Sequence, residues 1–254
     1  MKLRAVLTDL DGTLLEPDGS LCPEGAEAVR ALRERGVRVL PVTSKTAAEL
    51  RCLFDRLDLT GPAGFENGAG VVDREGGSVT SARAVPVDEL RTIASRLRRE
   101  TKAPLRTLEE LSDPELGSLV GMAGDDLARV RQRQATLPLV VEERWDDALR
   151  AIAPPATLLV RGDRFLHLQG RHAKADVVAE LLAAVPGEGV VVSCGDAPND
   201  LELLRSADLA VIVPSAAGVH EALRGALPDA LIAQAPYGRG WAKVMQQLLE
   251  EVGG

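Results

Sequence analysis

The 254-residue sequence has little cysteine, few aromatic residues and no long apolar run. Its three cysteines, Cys22, Cys52 and Cys194, are odd in number and lack the close pairing of zinc ligands, which argues against a disulfide framework and against a structural zinc site. Three Phe, two Trp and one Tyr are too few for the stacking platforms of proteins that bind single-stranded nucleic acid. No apolar stretch approaches the roughly 20 residues that cross a bilayer. The composition is that of a globular protein with a core of Leu, Val and Ala.

Acidic residues exceed basic ones, 38 to 30, which gives a formal net charge of -8. Without a visible basic patch, we expect neither a nucleic-acid partner nor a membrane partner. The first residues, Met-Lys-Leu-Arg-Ala-Val, show neither the apolar segment nor the cleavage site of a signal peptide, so we expect a cytoplasmic location. The sequence leaves the oligomeric state open.

The N-terminal quarter alternates apolar runs with helical periodicity. Leu3–Leu7 predicts a short buried strand, Pro23–Arg35 a helix and Val37–Val42 a second strand. Polar residues follow both strands, and a further helix is expected over Ala47–Leu57. This strand–helix–strand order predicts an α/β fold with a doubly wound parallel sheet.

The C-terminal part continues this pattern with Val190–Ser193 and Leu209–Val213 as strands and Trp241–Val252 as a closing amphipathic helix. Between the two ends lie more strongly charged predicted helices, namely Val87–Arg99, the helix-favouring stretch Glu109–Leu116, and Asp125–Gln134. We therefore expect a core domain of residues 1–80 and 165–254, interrupted by a smaller α+β domain of residues 81–164.

Two carboxylates follow the first strand in Asp9-Leu10-Asp11-Gly12-Thr13. One carboxylate can attack phosphorus, while a second one nearby can act as a general acid and then as a base. A simple Asp-Gly turn with a capping aspartate is the alternative interpretation.

A second acidic cluster follows the strand near residue 190, in Gly195-Asp196-Ala197-Pro198-Asn199-Asp200. Hard oxygen ligands from two strand ends suit Mg²⁺. A helix N-cap would explain only one of these polar side chains. The pair of clusters predicts a magnesium site at the carboxyl edge of the sheet.

Two further residues fit a phosphate site. The hydroxyl of Thr43, at the end of the second strand, can donate to a phosphate oxygen, and the ammonium of Lys174 can neutralise phosphate charge. Taken in order, the two acidic clusters, Thr43 and Lys174 resemble the four motifs of the haloacid dehalogenase-like phosphatase superfamily.

This resemblance implies a Rossmann-like core, Mg²⁺ and an aspartyl-phosphate intermediate. It implies that Asp9 is the nucleophile and a metal ligand, that Asp11 is the acid and base and adds a backbone carbonyl to the metal, and that Asp196 is a further ligand. Thr43, Lys174 and Asn199 would then stabilise phosphate charge, and Asp200 would orient Lys174 or a metal-bound water. The α+β insertion, which falls between Thr43 and Lys174, would be a cap domain that closes over sugar phosphates and similar metabolites.

Finer features resemble the mannosyl-3-phosphoglycerate phosphatase family. These are Thr43-Ser44-Lys45-Thr46, Phe65-Glu66-Asn67-Gly68, and a Gly-x-Arg-Phe-x-His segment at Gly162–His167. The implied reaction releases phosphate from mannosyl-3-phosphoglycerate to give mannosylglycerate, a compatible solute. The candidate substrate-binding residues are Ser44, Lys45, Glu66, Asn67, Gly68, Arg133, Arg164 and His167.

Within that set, the candidate cations for the substrate's anionic groups are Lys45, Arg133, Arg164 and His167. The alternative for Arg133 and Arg164 is a solvated charge on a helix or turn, and for His167 it is an outward position on a strand. The Glu66–Gly68 loop is either a hydroxyl-binding loop or a plain turn. His172 and His220 have no partner pattern and are expected at the surface.

Three other functions stay open at this point: a broader sugar-phosphate phosphatase, a phosphomutase, and a catalytically idle regulatory binder of the same fold. The preference between mannosyl and glucosyl substrates and the identity of the divalent metal are also open.

Overall fold

The computed structural model describes residues 2–76, 78–162 and 165–253. Its strands, in chain order, are β1 (Leu3–Thr8), β2 (Arg38–Pro41), β3 (Ala63–Phe65), β4 (Gly70–Val72), β5 (Ser78–Thr80), β6 (Arg106–Thr107), β7 (Thr136–Val140), β8 (Thr157–Arg161), β9 (Leu166–Gly170), β10 (Val190–Gly195), β11 (Leu209–Ile212) and β12 (Leu231–Ile232). Its α-helices are α1 (Pro23–Glu34), α2 (Ala47–Arg56), α3 (Val87–Thr101), α4 (Asp113–Val120), α5 (Asp125–Arg131), α6 (Asp146–Ile152), α7 (Val178–Ala183), α8 (Leu201–Arg205), α9 (Glu221–Ala226) and α10 (Tyr237–Gly253).

A five-stranded parallel sheet forms the core domain, in the order β12-β11-β10-β1-β2. Alternate side chains of β1 pack on opposite faces of this sheet. Val6 joins a cluster that contains Trp241 of α10, whereas Leu7 joins one that contains Leu181 of α7. Because both faces are covered by helices, Ala5–Leu7 is a continuous apolar run. The predicted doubly wound α/β fold is confirmed.

The closing helix α10 begins at Tyr237, four residues before the predicted start at Trp241. The prediction started late because Gly238 and Gly240 are poor helix formers. Both glycines lie at close approaches: a Cβ at Gly238 would lie 2.5 Å from the Leu14 carbonyl oxygen, and one at Gly240 would lie 1.7 Å from the Ala235 carbonyl oxygen. These glycines therefore allow tight packing at the start of the helix.

A small antiparallel sheet of β3, β4 and β5 extends from the edge of the core. A parallel bridge from Val42 to Gly64 attaches it just beyond β2. The turn between β3 and β4 contains Glu66 and Asn67, which have positive φ angles of 45° and 60°. This attachment places the turn beside the end of β2.

The cap domain is built on a four-stranded antiparallel sheet in the order β6-β7-β9-β8. Leu137 and Leu168 on one face form a cluster with Leu90 of α3 and Leu149 of α6. A second cluster joins Phe165 to apolar side chains of α4 and α5. Each cluster contains residues of the sheet and of the helices that cover it, so the cap has its own apolar core.

The sheet pairing bears on the domain boundary. The sequence-based boundary lies between residues 164 and 165, but β9 lies beyond it and pairs with β7 and β8 of the cap. We propose that the cap extends to Gly170. The chain enters the cap near Arg83 and leaves it at Gly170, and these two connections are in contact. A Cβ at Gly170 would lie 2.2 Å from the Arg83 carbonyl oxygen and 2.8 Å from the Val85 nitrogen.

Two predicted cap helices are shorter or displaced. The stretch Glu109–Leu116 divides into a 3₁₀ turn at Leu108–Glu110 and α4, because the backbone amide of Ser112 donates to the Glu115 carboxylate and starts a new helix. The helix predicted to reach Gln134 ends at Arg131. Among the described residues, no helix combines the length and the apolar character needed to cross a bilayer.

Candidate active site

The two acidic clusters meet at the carboxyl edge of the parallel sheet. Asp9 follows β1, and its backbone nitrogen donates to the Cys194 carbonyl oxygen of the neighbouring β10 at 3.0 Å. Asp196 follows β10 directly. Carboxylate oxygens of Asp9, Asp196 and Asp200 all lie within 4.8 Å of one another. Adjacent parallel strands thus bring together acids that are almost 190 positions apart in the sequence.

Lys174 lies among these carboxylates. Its Nζ is 2.7 Å from Asp9 Oδ1 and 2.6 Å from Asp200 Oδ1, and its side chain is 1% exposed. Burial alone would lower the pKa of Lys174, but Asp200 and Asp9 raise it above its usual value. The side chain is therefore a fixed ammonium ion beside Asp9.

Asp200 is buried and has partners for both carboxylate oxygens. While Oδ1 contacts Lys174, Oδ2 accepts from the backbone nitrogens of Asp196 and Ala197, each at 3.0 Å. A Cβ at Gly195 would lie 2.5 Å from the Asp200 Cβ, so glycine permits this close turn. Asp200 therefore orients Lys174 and the Asp196 backbone. Half-buried Asn199 lies in the same 3₁₀ turn, Pro198–Asp200.

The carboxylate of Asp11 does not belong to the three-acid cluster and contacts Lys45. Lys45 Nζ lies 2.8 Å from Asp11 Oδ1, and the Asp11 side chain is 47% exposed while that of Lys45 is 8% exposed. Burial would lower the pKa of Lys45, but Asp11 and Glu49 raise it overall. The structure therefore places Lys45 in contact with Asp11.

The two residues that follow Asp11, Gly12 and Thr13, contact Asp196. The Thr13 hydroxyl donates to Asp196 Oδ1 at 2.7 Å. Gly12 has a φ of 83°, and a Cβ there would lie 2.8 Å from Asp196 Oδ2. Only glycine combines this conformation with this approach at low cost. Gly12 and Thr13 together bring the first motif against the second.

The end of β2 places Thr43 and Ser44 at the same edge. Thr43 is fully buried, and its hydroxyl oxygen accepts from the Lys45 backbone nitrogen at 3.3 Å. Ser44 is half-buried, and its carbonyl oxygen accepts from Arg133 at 2.6 Å. The loop after β2 therefore contributes both to the site and to a contact with the cap.

Glu66 is fully buried and binds the cap backbone. Its Oε1 accepts from the Gln134 nitrogen at 2.8 Å, and its Oε2 accepts from the nitrogens of Ala135 and Thr136 at 2.9 and 2.7 Å. The Thr136 hydroxyl adds a fourth bond at 2.7 Å. The first of these donors, Gln134, is the residue at which the sequence predicted that the helix would end, and the other two follow it. The contacts join the two domains, and a role of Glu66 in substrate binding stays a prediction.

Arg133 is also engaged with the protein. Its guanidinium donates to the carbonyl oxygens of Val130 and Ser44 at 3.0 and 2.6 Å and to the Thr136 hydroxyl at 3.3 Å. A carboxylate oxygen of Glu49 lies 3.9 Å away. Arg133 therefore links the cap to the loop after β2, and the predicted contact with substrate stays untested.

Asn67 and Gly68 lie between the phosphate-site elements. The Asn67 nitrogen donates to the Thr43 carbonyl oxygen at 2.8 Å, and its Nδ2 donates to Gln169 Oε1 at 3.0 Å. Gly68 has a φ of 87°, and a Cβ there would lie 2.2 Å from the Ala173 carbonyl oxygen. The tight turn thus fits between Thr43 and the residue before Lys174.

The histidines differ from their predicted surroundings. Burial and the charges of Arg133, Arg161 and Lys174 lower the pKa of His167 to about 3, so its ring is uncharged near neutral pH. Its contact with substrate stays a prediction. The surface prediction for His172 is wrong: it is 1% exposed and its Nε2 donates to the Glu66 carbonyl oxygen at 3.1 Å.

Two other sequence predictions concern residues near the surface or without a described position. His220 is exposed, as expected, and its Nδ1 accepts from the Ala222 nitrogen at the start of α9. The candidate Arg164 lies outside the described residues.

Several known proteins are similar to this chain in sequence or in fold. The model of the haloacid dehalogenase-like hydrolase family matches residues 6–108. A glucosyl-3-phosphoglycerate/mannosyl-3-phosphoglycerate phosphatase of Persephonella marina is 23% identical, over 97% of each chain. A structure from Thermoplasma acidophilum is similar with a TM-score of 0.76 and 16% identity, over 98% of this chain and 99% of that one. A sugar phosphatase of haloacid dehalogenase subclass IIB is similar with a TM-score of 0.73 and 19% identity, over 96% and 98% of the chains. Residues 6–108 of this chain thus match the haloacid dehalogenase-like hydrolase family, and the whole chain has the fold of these solved structures.

Haloacid dehalogenase-like hydrolases generally use a divalent metal. The carboxylate oxygens of Asp9, Asp196 and Asp200 fit such an ion. Burial and the nearby carboxylates raise the pKa of Asp9 well above its usual value. Burial, followed by the charge of Asp200, raises the pKa of Asp196 to about 7. Burial is the larger cause of both shifts and the neighbouring carboxylates add to it, so a further positive charge would favour the ionised forms of Asp9 and Asp196. Asp9 and Asp196 would supply carboxylate ligands, and oxygen donors suit a hard cation.

Sequence reasoning gave no role to two residues that build this site, Thr13 and Gln169. Thr13 lies inside the first motif, directly after Gly12, and this position was the available signal for its contact with Asp196. Gln169, which is 3% exposed and binds Asn67, had none, because one glutamine in a short strand has no distinguishing pattern.

Proposed function

We propose that the protein is a Mg²⁺-dependent phosphatase that hydrolyses mannosyl-3-phosphoglycerate to mannosylglycerate and phosphate. The observation that carries the proposal is the contact of Lys174 with both Asp9 and Asp200 beside Asp196. A buried ammonium next to a carboxylate nucleophile provides a place for a phosphate dianion. The substrate is favoured by the Thr43–Thr46 sequence and by the Persephonella marina relative.

In the proposed reaction, a carboxylate oxygen of Asp9 attacks phosphorus and the bond from phosphorus to the glycerate oxygen breaks. Asp11 gives a proton to that oxygen as it leaves. After the product departs, Asp11 takes a proton from a water molecule, and the resulting hydroxide oxygen attacks the aspartyl-phosphate. This second step releases phosphate and restores the Asp9 carboxylate.

The other residues hold the reacting groups. Lys174 stabilises negative charge on the phosphate, with Thr43 and Asn199 as further donors. The Lys45 ammonium fixes the Asp11 carboxylate, and the Thr13 hydroxyl fixes that of Asp196. A divalent cation bound by Asp9, Asp196 and the Asp11 carbonyl would reduce the repulsion between the phosphate and the carboxylate of Asp9.

The test is release of inorganic phosphate from a substrate panel, with Mg²⁺ and after EDTA treatment. The panel contains mannosyl-3-phosphoglycerate, glucosyl-3-phosphoglycerate and hexose 6-phosphates. We expect the highest kcat/KM on the mannosyl compound, loss of activity with EDTA, and recovery on adding Mg²⁺. Equal activity on hexose phosphates would indicate a broader sugar-phosphate phosphatase, and phosphate transfer to a second sugar without release would indicate a phosphomutase. Activity that is insensitive to EDTA would contradict the metal requirement.

The covalent step has a separate test. Substrate labelled with ³²P, quenched in acid within one turnover, should leave label on the protein, and hydroxylamine should remove it because acyl phosphates react with this nucleophile. Asp9→Asn should abolish the labelling. A wild-type enzyme that turns over without protein-bound label would argue for direct attack by water.

A further inference from the structure

A chain of side-chain amides fixes the orientation of Asn67. The His172 carbonyl oxygen can only accept, so Gln169 must direct Nε2 towards it, and the two atoms are 3.0 Å apart. Gln169 Oε1 then accepts from Asn67 Nδ2, also at 3.0 Å. The remaining atom, Asn67 Oδ1, is left as an acceptor. This order of donors and acceptors rules out the reversed amide.

Asn67 Oδ1 is buried, and it has no hydrogen-bond partner among the described residues. The whole residue is 5% exposed. A buried acceptor without a donor costs free energy, so such atoms in native proteins call for an explanation. A ligand that supplies a donor is one explanation.

The position of Asn67 links this acceptor to the phosphate site. Its backbone nitrogen is bound to the Thr43 carbonyl oxygen, and the next residue, Gly68, packs against Ala173 and Lys174. On the opposite side, Gln169 belongs to β9 of the cap. Asn67 therefore lies where the phosphate elements of the core meet the cap sheet.

A second uncharged group lies on the same face of β9. His167 is two residues from Gln169, so their side chains leave the strand on one side. Its Nδ1 is also buried and has no hydrogen-bond partner within the described ranges. The low pKa of His167 keeps the ring neutral near pH 7. Neither group offers the charge that would select an anion.

We infer that Asn67 Oδ1 accepts a hydrogen bond from a hydroxyl in the part of the substrate beyond the phosphate. The inference rests on the proposed phosphatase function and makes Asn67 a specificity-determining residue. Gln169 is a positioning residue, since it acts by holding the Asn67 amide. His167 is the neighbouring group suited to a second hydroxyl.

The test compares kcat/KM for mannosyl-3-phosphoglycerate, which carries hydroxyls, with kcat/KM for p-nitrophenyl phosphate, which has none. Asn67→Gly removes the acceptor and suits the positive φ of this position. We expect it to lower kcat/KM about tenfold on the hydroxylated substrate, the order for a lost hydrogen bond to a buried acceptor, and less than about twofold on the aryl phosphate.

Gln169→Leu supplies an independent variant that leaves Asn67 in place. It should show the same selective loss, because the amide is then free to turn its donor end outwards. Wild-type enzyme should show a similar loss on hexose phosphates that lack the recognised hydroxyl, and Asn67→Gly should lose little more on them. Thermal melting of each variant checks that the fold persists.

The outcomes separate the inference from the proposed function. Equal losses on both substrates would overturn the inference, because they would assign Asn67 to the fold or to the phosphate site. No loss on either substrate would overturn it as well. Wild-type protein that releases no phosphate from any substrate would instead overturn the proposed function.

Discussion

Replacing Glu66 with Gln tests the junction between the two domains. The glutamate carboxylate accepts four hydrogen bonds from Gln134, Ala135 and Thr136, all in the cap. Glutamine has nearly the same size, so the change removes charge and one acceptor without opening a cavity. Its amide group can keep its oxygen towards the three donors of Oε2, but its NH₂ then faces the Gln134 nitrogen.

The expected loss of stability follows from these contacts. One hydrogen bond to a charged acceptor disappears, at about 1.5–3 kcal/mol, and three others become bonds to a neutral acceptor of about half the strength. A buried amide is easier to desolvate than a carboxylate, which returns part of this loss. We expect a net decrease of about 2 kcal/mol in the free energy of unfolding. With an unfolding entropy of about 2.1 cal/mol/K per residue, Tm should fall by about 4 °C.

Thermal unfolding followed by circular dichroism measures the effect. Glu89→Gln is the matched control, because Glu89 is exposed on α3, and it should leave Tm within about 1 °C of wild type. A similarly small shift for Glu66→Gln would refute the reasoning, since it would mean that the cap amides find equivalent partners elsewhere.

Three further predictions concern catalysis and pH. Asp9→Asn should lower kcat by several orders of magnitude with an unchanged circular dichroism spectrum, and retention of about a tenth of the activity would exclude Asp9 as nucleophile. Lys45→Met should lower kcat about tenfold because Asp11 loses its fixed partner, while Lys45→Arg should recover part of it; equal rates for both variants would contradict that role. Unfolded histidine titrates near pH 6.5 and folded His167 near 3, so the unfolded state binds more protons between these values and stability falls as the solution is acidified. Denaturant unfolding at pH 7 and pH 4 should therefore show a loss about 1–3 kcal/mol larger for wild type than for His167→Gln, and parallel losses would refute it.

The sequence predicted the parallel sheet and the meeting of its acidic residues for a physical reason. Apolar runs that end in polar residues mark strands of a covered sheet, and such strands share one carboxyl edge. Asp9 and Asp196 could thus be placed together before any coordinates. Lys174 followed from its order in the chain. The resemblance left Asp200 to orient either Lys174 or a metal-bound water, and the structure has Asp200 in contact with Lys174.

The contacts between the domains were beyond sequence reasoning. The partners of Glu66 are backbone amides, which every residue except proline carries and which therefore leave no pattern. Arg133 has the same side chain whether it binds substrate, solvent or carbonyl oxygens. His172 follows Gly170-Arg171, a polar stretch that suggests a surface, yet its ring lies beneath the Glu66 turn.

The contact between the two connections that join the cap to the core, at Arg83 and Gly170, bears on how the protein folds. Strand β1 pairs with β10 across the 187 positions that separate Leu3 from Val190, whereas the cap strands lie within residues 106–170. The cap can form early, because its contacts are more local. Once formed, it holds Gly170 against Arg83 and leaves about 100 flexible residues in the loop that β1 and β10 must close. Since loop-closure entropy changes by only about 0.6 kcal/mol per doubling of length, the core can carry so large an insertion at little entropic expense.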